Sequence, residues 1–280
     1  MSKLVENFLS SHRYAEKTKT IYRPILCLLV TVPDLDSLDA QGLLDFVSRP
    51  GWGNSQRCVA LHSSKKFLRW KYGSNHSALN ARLKRIQPPP RRSLDPEKAL
   101  RLLAAFDTYT AAGARGLAIV AFGLDTGFRR AEIASLQLAN VDFYSNTARA
   151  LCKGGQWGIG AFTPETAGII QHWLAFRQPA DGVGNLFVSL KTGRALTGEG
   201  LKCFFNRVSK LVEFKISAHD LRASFATLAT IYGANTRTLQ LAGRWQSPEM
   251  VEHYTGNLQI NAVRPYLPMS NLLKPRTSKA

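Results

Sequence analysis

Apolar side chains recur every three or four residues along most of the chain, a spacing that predicts a mainly helical protein. In the first third, the pattern predicts helices at 3–13, 16–30, 38–48, 54–73 and 77–86. We expect Pro24 to interrupt the second of these, because proline has no amide proton to donate within a helix. The longest apolar run in this region, residues 25–30, is too short to span a bilayer.

The helical pattern stops at a proline-rich segment and then resumes. Residues 87–93 read Gln-Pro-Pro-Pro-Arg-Arg-Ser, which favours an extended linker carrying two positive charges. After it, helices are predicted at 96–106, 114–126, 128–137, 164–177, 198–212, 218–233 and 247–256. The predicted organisation is a helical domain at 1–86, a linker at 87–93, a second domain at 94–264 and a tail at 265–280.

Part of the second domain follows a different pattern. Residues 141–144, 147–152 and 158–162 form short segments separated by Ser-Asn and Gly-Gly turns, which predict a small antiparallel sheet or a pair of hairpins. Residues 185–189 predict a further short strand or extended piece. The predicted fold class is therefore mainly α, with a small antiparallel β-sheet in the second domain.

The net charge of the chain indicates which class of partner it binds. The 280 residues include 37 Lys and Arg against 19 Asp and Glu, a formal net charge of +18. Such an excess indicates a polyanionic partner and favours nucleic acid over a membrane surface. Because the excess is spread over both predicted domains, we expect both to face the polyanion, as in a clamp.

One predicted helix, at 54–73, concentrates cations beside aromatic side chains. The cations are Lys65, Lys66, Arg69 and Lys71, and the aromatics are Phe67, Trp70 and Tyr72. This mixture suits a helix laid against DNA phosphates. The alternative is a solvated basic face above an aromatic core contact. The linker arginines, Arg91 and Arg92, are further candidates for contact with DNA.

The remaining patterns exclude several kinds of site. Cys27, Cys58, Cys152 and Cys203 are widely spaced, so they predict reduced thiols and no structural metal. The glycines at 154–160 lack the context of a dinucleotide site, and neither a P-loop nor a carboxylate cluster for two metals is present. We therefore expect no cofactor. Nothing at the N-terminus predicts a signal peptide, so the expected location is the cytoplasm, in association with the nucleoid.

The candidate chemistry lies between residues 218 and 256. His219 and Arg222 are three residues apart on a predicted helix, so they share one face and can reach one ligand. Tyr254 lies in a second short helix that Ser247 is expected to cap. An imidazole, a guanidinium and a phenol suit an anion that gains charge as it reacts. A phosphate fits this description best.

Five segments taken together resemble the tyrosine recombinase (phage integrase) family. The matching positions are Arg129 and Glu132 in TGFRRAEIASLQ, Lys153 in LCKGGQ, His219 and Arg222 in HDLR, Trp245 in GRW, and Tyr254 in HYTG. Arg130 is the alternative to Arg129 for the first of these positions. Arg129 is preferred because the family arginine directly follows a Thr-Gly-hydrophobic triplet, here Thr-Gly-Phe. The family often has a second basic residue soon after the hairpin lysine, whereas this chain continues GGQWGIGAF.

The resemblance implies a SAM-like helical core-binding domain and a catalytic domain that together form a C-shaped clamp on DNA. It implies a site-specific recombinase in which Tyr254 attacks a phosphodiester and forms a 3′-phosphotyrosyl enzyme. Arg129 and Arg222 would bind the non-bridging oxygens, and His219 would bind the same oxygens or accept the phenol proton. A phenol has a pKa of about 10 and needs such help at neutral pH.

The resemblance also assigns supporting roles. Lys153 would protonate the leaving 5′-oxygen, Trp245 would donate its indole N–H to a phosphate oxygen, and Glu132 would orient Arg129. Reversal by another 5′-hydroxyl would exchange strands without ATP or metal. Family members act as tetramers on two duplexes carrying specific recombination sites, and a C-terminal segment often docks on the neighbour. Leu267, Leu272 and Leu273 are candidates for that contact.

Two alternatives use the same residue pattern. A type IB topoisomerase also forms a phosphotyrosine with Arg, Lys, Arg, His and Tyr; the N-terminal helical unit and Trp245 favour a recombinase. A protein of the same fold that only binds DNA has no need for Tyr254 at a phosphate.

Overall fold

The computed structural model describes residues 3–84, 92–152 and 155–256. The helices in these ranges are α1 (Lys3–Ser11), α2 (Glu16–Leu29), α3 (Ala40–Val47), α4 (Asn54–Tyr72), α5 (Pro96–Ala104), α6 (Ala111–Thr126), α7 (Arg130–Ser135), α8 (Pro164–Phe176), α9 (Gly198–Leu211), α10 (Ala218–Ile231), α11 (Thr236–Ala242) and α12 (Pro248–Thr255). The strands are β1 (Val141–Asp142), β2 (Thr147–Leu151) and β3 (Trp157–Ala161). The mainly helical fold class with one small sheet is confirmed.

The chain divides into two compact units, Met1–Pro88 and Pro89–Ala280. Each unit has a hydrophobic core of its own among the described residues. In the first unit, helices α1 to α4 bury Phe8, Leu26, Leu43 and Phe67 together. The domain limits inferred from the sequence stay a prediction, because most of the linker and the whole tail lie outside the described ranges.

Two expectations for the first unit are wrong. Helix α2 continues through Pro24 without interruption, and its buried side chains lie on both sides of the proline. Core packing there outweighs the lost hydrogen bond. The predicted helix at 77–86 is only a 3₁₀ turn, Ser77–Asn80, in its described part. Side chains bind this turn to the segment before α3. Ser77 donates to the Leu38 carbonyl at 2.9 Å, and the His76 ring contacts the Leu35 carbonyl at 3.1 Å.

The second unit is built around α6. Its sequence is apolar on nearly every side, and the structure buries it between α8 and α10. Thr110 caps its start by accepting from the Gly113 amide at 3.1 Å. Gly127 ends it in the left-handed conformation, with a φ of 58°, and the chain turns at once towards α7. This turn carries the TGFRR segment.

The three strands form one antiparallel sheet in the order β1–β2–β3. Across β2 and β3, Ala148 pairs with Gly160 and Ala150 pairs with Gly158, so small residues face the core. The outer face exposes Trp157. The predicted strand at 185–189 is an extended piece with isolated bridges at Asn185 and Val188.

The sequence pattern missed helix α11. It is short, Asn235 caps it, and most of its residues are exposed, so it carries little apolar periodicity. Helices α10, α11 and α12 nevertheless enclose a small separate core that includes Ala226, Leu239 and Val251. None of the helices within the described ranges is long and apolar enough to cross a membrane.

Replacing Gly127 with alanine is expected to destabilise the second unit by about 3 kcal/mol. The residue has a φ of 58°, and an added Cβ would lie 2.6 Å from Cδ1 of Phe225. Gly168 is the matched control, since it is exposed within α8 and an added Cβ would meet nothing within 4 Å. Gly168→Ala should stabilise by about 0.5–1 kcal/mol. Urea denaturation measures both, and equal effects of the two changes would contradict the prediction.

Candidate active site

Arg222 is the centre of the candidate site. It lies on α10 with no exposed surface. Its Nη1 donates a short hydrogen bond to the Gly127 carbonyl, and its Nη2 donates to the Gly243 carbonyl at 2.6 Å. These carbonyls belong to the ends of α6 and α11, so one guanidinium joins three helices. Burial lowers the pKa of Arg222, and the nearby charge of Arg129 lowers it further.

Trp245 and Tyr254 pack directly on this guanidinium. The Arg222 Cζ lies 4.6 Å from the Trp245 ring centroid and 5.9 Å from that of Tyr254. The two rings are themselves 5.1 Å apart, and both side chains are buried. Thr227 on α10 donates to the Tyr254 main-chain carbonyl at 3.2 Å, which holds α12 in place. The structure therefore brings together three residues that the sequence predicted.

Among Arg222, Trp245 and Tyr254, two side-chain donors are unpartnered. Trp245 Nε1 and Arg222 Nε are buried, and neither has a hydrogen-bond partner among the described residues. Buried donors are normally satisfied, because an unpaired one costs free energy. An unpaired indole donor beside a buried cation that has a free donor of its own is a suitable arrangement for an anion. His219, one turn before Arg222 on the same helix, is exposed.

Arg129 and Glu132 form a reciprocal cap at the start of α7. Glu132 accepts from the Arg129 amide and from Arg129 Nη1, each at 2.8 Å. Arg129 keeps a third of its side chain exposed, whereas the Glu132 carboxylate is buried. Burial alone raises the pKa of Glu132, but the hydrogen bonds and charge of Arg129 and the charge of Arg244 outweigh it, so the pKa is lowered.

Arg244 is a residue that the sequence reasoning missed. Its Nη2 lies 3.8 Å from Glu132 Oε2, and its side chain is largely buried. Burial and then repulsion from Arg222 lower the pKa of Arg244 to about 10. Its position directly before Trp245 in GRW is the only sequence signal, and no periodic pattern assigns it to a site.

The cluster carries a net positive charge. Arg129, Arg222 and Arg244 contribute three positive charges and Glu132 one negative charge. Rigid guanidiniums can stabilise the charge that develops on a phosphate during displacement. Among the described residues, no group of three or more His, Cys, Asp or Glu is placed to hold a metal ion.

The remaining predicted residues differ in how much the structure says of them. Lys153 and Arg91 lie outside the described residues. Arg92 forms an ion pair with Asp220 at 3.0 Å, and Asp220 also accepts from Ser217 at 2.8 Å. Part of the Arg92 charge is therefore neutralised by Asp220 in the first turn of α10.

Helix α4 in the first unit presents the predicted basic face. Lys65 and Lys66 are half-buried, while Arg69 and Lys71 are exposed. None of the four has an acidic partner within the described part of the chain. Burial and then repulsion from Arg82 and Arg69 lower the pKa of Lys65. This unneutralised charge is a suitable surface for a polyanion.

Aromatic rings contact two of the cations on this helix, as the alternative interpretation expects, and contact with DNA stays a prediction. The Lys66 ammonium lies 5.3 Å from the Tyr14 ring centroid. Lys71 Nζ lies 4.4 Å from the Tyr72 ring centroid and donates to its hydroxyl at 2.6 Å. The basic face is thus ordered by aromatic contacts, while its charge stays available to solvent.

Comparisons with known proteins agree with this arrangement. The model of the phage integrase family matches residues 92–259, more than half of the chain. The tyrosine recombinase XerC of Staphylococcus aureus is 28% identical over 154 residues, covering 54% of this chain and 51% of XerC. The chain thus matches about half the length of this curated relative.

Solved structures show the same fold over nearly the whole chain. The Tn1549 transposon integrase in complex with a circular intermediate DNA has a TM-score of 0.74 at 16% identity, covering 97% of this chain and 100% of that one. The XerH site-specific recombinase bound to palindromic difH substrate has a TM-score of 0.70 at 19% identity, covering 90% and 80%. Because these sequence identities are low, the comparison establishes a shared fold and nothing more.

Replacing Glu132 with glutamine is expected to lower the free energy of unfolding by about 3 kcal/mol at neutral pH, because the buried guanidiniums then lack a counter-charge. The Glu132 pKa lies below its ordinary value of 4.5, so its stabilisation is complete above that pH and is lost as the pH falls through the lowered pKa. The difference between wild type and variant should therefore shrink in acid.

Urea denaturation at neutral pH and at about pH 3 measures this difference. Glu199→Gln is the matched control, because Glu199 pairs with Lys202 at 3.4 Å while both side chains are exposed. It should change stability by less than about 0.5 kcal/mol. If the difference between wild type and Glu132→Gln were undiminished in acid, the ionised Glu132 carboxylate would not be the source of this stabilisation.

Proposed function

The chain belongs to the phage integrase family, and we propose that it is a site-specific DNA recombinase that breaks and rejoins strands through a 3′-phosphotyrosyl intermediate. One observation carries the proposal. The Tyr254 ring lies 5.9 Å from a fully buried guanidinium whose neighbours include a buried, unpartnered indole donor. A phenol beside oriented cationic donors is suited to attack on a phosphodiester.

In the proposed reaction, the Tyr254 oxygen attacks phosphorus and the bond from phosphorus to the 5′-oxygen breaks. The phenol proton must leave, and guanidiniums cannot accept it. His219 is therefore the proposed acceptor. Lys153 supplies a proton to the departing 5′-oxygen, so a free 5′-hydroxyl forms beside the phosphotyrosyl bond. No oxidant, metal or nucleotide is needed for this balance.

The arginines stabilise the charge that develops on the phosphate. Arg222 is fixed by two carbonyls and by the Trp245 ring, so its position costs no reorganisation during the reaction. Arg129 is held by Glu132 but keeps exposed surface for a ligand. The Trp245 indole N–H donates to a phosphate oxygen. Attack by a 5′-hydroxyl from another strand reverses the step and exchanges strands without ATP.

Duplex DNA is the proposed substrate and partner. The Tn1549 integrase and XerH structures that share this fold contain their own DNA, and the chain has a net charge of +18. We propose that the basic face of α4 and the two linker arginines contact the backbone of specific sites. We further propose a DNA clamp made by both units and a tetramer on two duplexes. We propose that it acts in the cytoplasm, in association with the nucleoid.

Tyr254→Phe is expected to abolish covalent protein–DNA adducts while leaving DNA affinity within about twofold, because only the nucleophilic oxygen is removed. Wild type and variant are each mixed with nicked genomic or random-sequence duplex in EDTA, denatured, and separated by electrophoresis. Adducts from wild type alone support the proposal, and sequencing the attached DNA yields the site.

Tyr144→Phe is the matched control, since Tyr144 is 98% exposed in the loop after β1. Its adduct yield should equal that of the wild type. A wild type that binds duplex firmly but never forms an adduct would overturn the proposal and leave a protein that only binds DNA. Relaxation of supercoils by a monomer without site preference would indicate a topoisomerase instead.

The double change Lys65→Gln and Arg69→Gln is expected to weaken DNA binding and to make its salt dependence less steep. Each lost phosphate contact should reduce the slope of log K against log salt by about 0.9, so about 1.8 for the pair. Fluorescence anisotropy across a salt series measures this. Lys17→Gln, at an exposed position of α2, should leave the slope unchanged. An unaltered slope in the double variant would exclude α4 from the interface.

A further inference from the structure

The helix that carries Tyr254 depends on its neighbours for its position. Helix α12 has eight residues, too few for a helix that is stable by itself. Its two buried side chains, Val251 and Tyr254, pack in the small core with Ala226 of α10 and Leu239 of α11. Apolar contacts have no preferred direction. They hold α12 against α10, but they do not fix its position along that helix.

A hydroxyl group on α10 supplies a contact that does have a direction. Helix α10 carries three hydroxyl side chains, and two of them, Ser224 and Thr230, donate to the carbonyl four residues earlier in their own helix, at 2.7 and 2.8 Å. This is the usual bond of a hydroxyl within a helix. Thr227 instead donates to the main-chain carbonyl of Tyr254 at 3.2 Å. The Thr227 side chain is buried, so water does not compete for this bond.

The same helix carries the central guanidinium of the site. Arg222 lies on α10, and its Cζ is 5.9 Å from the Tyr254 ring centroid. Ala223 and Ala226, which are fully buried on α10, leave room for α12 to approach closely. A hydrogen bond from α10 to the Tyr254 main chain therefore fixes the phenol relative to the guanidinium, because both are then referred to one rigid helix.

We propose that Thr227 is a positioning residue for the nucleophile, whose hydroxyl holds the main chain of Tyr254 where the phenol can attack phosphorus. The inference rests on the proposed function. Thr227 acts through Tyr254 and touches no reacting atom. The rate of attack depends steeply on the placement of the attacking atom. Loss of the hydroxyl should therefore slow formation of the covalent adduct, whereas DNA affinity should change little because Thr227 is buried.

Three substitutions separate the hydroxyl from the rest of the side chain. Thr227→Val removes the donor and keeps the branched shape, whereas Thr227→Ser keeps the donor and removes only a methyl group. Thr255→Val is the matched control, because Thr255 follows the nucleophile on α12 and donates to the Val251 carbonyl of its own helix at 3.1 Å. It removes the same chemical group at a similar distance along the chain from Tyr254 without breaking a bond between helices.

The substrate is the nicked duplex whose sequence is recovered from the wild-type adduct, present in saturating excess over protein. A time course then gives a rate constant and a final yield of adduct, and fluorescence anisotropy gives the affinity. We expect Thr227→Val to lower the rate constant about tenfold, with the same final yield as wild type and an affinity within about twofold. Thr227→Ser should react within about threefold of the wild-type rate, and Thr255→Val should match wild type.

Each other outcome overturns the inference. An unchanged rate constant in Thr227→Val would show that the hydroxyl has no role, and a lower yield at an unchanged rate would show only a loss of folded protein. Slowing of Thr227→Ser or Thr255→Val to the same extent would show that the bond between the helices is not the cause. If melting curves show that Thr227→Val does not fold, Thr227→Ala is judged by the same criteria. Absence of any wild-type adduct would refute the proposed function itself.

Discussion

The burial of Arg222 is the constraint on which the second unit depends. A guanidinium with no exposed surface loses its hydration, which costs several kcal/mol unless protein groups replace the water. The carbonyls of Gly127 and Gly243 do so, and both end helices. The turn after α6, the turn after α11 and the face of α10 must therefore be formed together, and they bring Trp245 and Tyr254 to the same point.

The second constraint is the balance of charge around Glu132. Three guanidiniums close to one carboxylate repel one another, and this repulsion contributes to the lowered pKa values of Arg222 and Arg244. Such an excess weakens the folded state, and it is the arrangement expected of a site that binds an anion. A site that is preorganised for charge is expected to be less stable than one optimised for folding. Glu132 reduces the repulsion between the guanidiniums because it forms an ion pair with Arg129. The Arg129 side chain nevertheless keeps a third of its surface exposed to a ligand.

The sequence predicted those features that depend on interactions between residues close together in the chain. Periodicity located the long helices because their buried faces repeat. The family resemblance assigned Arg222, Trp245 and Tyr254 to one site, and the structure places these three side chains together. Pro24 failed as a breaker because tertiary packing overrode a local preference. The short helix α11 lacked an apolar repeat. Arg244 was missed because its guanidinium binds the carbonyls of Ile159 and Thr126, which lie more than 80 residues earlier in the chain, and no local pattern reports such contacts.

The distribution of acidic residues explains how a chain with a net charge of +18 folds and still presents positive charge. Several acids act locally, at helix starts and turns. Asp39 accepts from the Gly42 amide, Asp95 from the Lys98 amide, and Asp142 from the Tyr144 amide. A carboxylate at a helix start satisfies free amides and the helix dipole. Asp95 also pairs with the Lys98 ammonium at 2.7 Å, three residues along the same helix. Because these acids bind groups close to them in the sequence, the cations of α4 stay unpaired within the described residues and available to a polyanion.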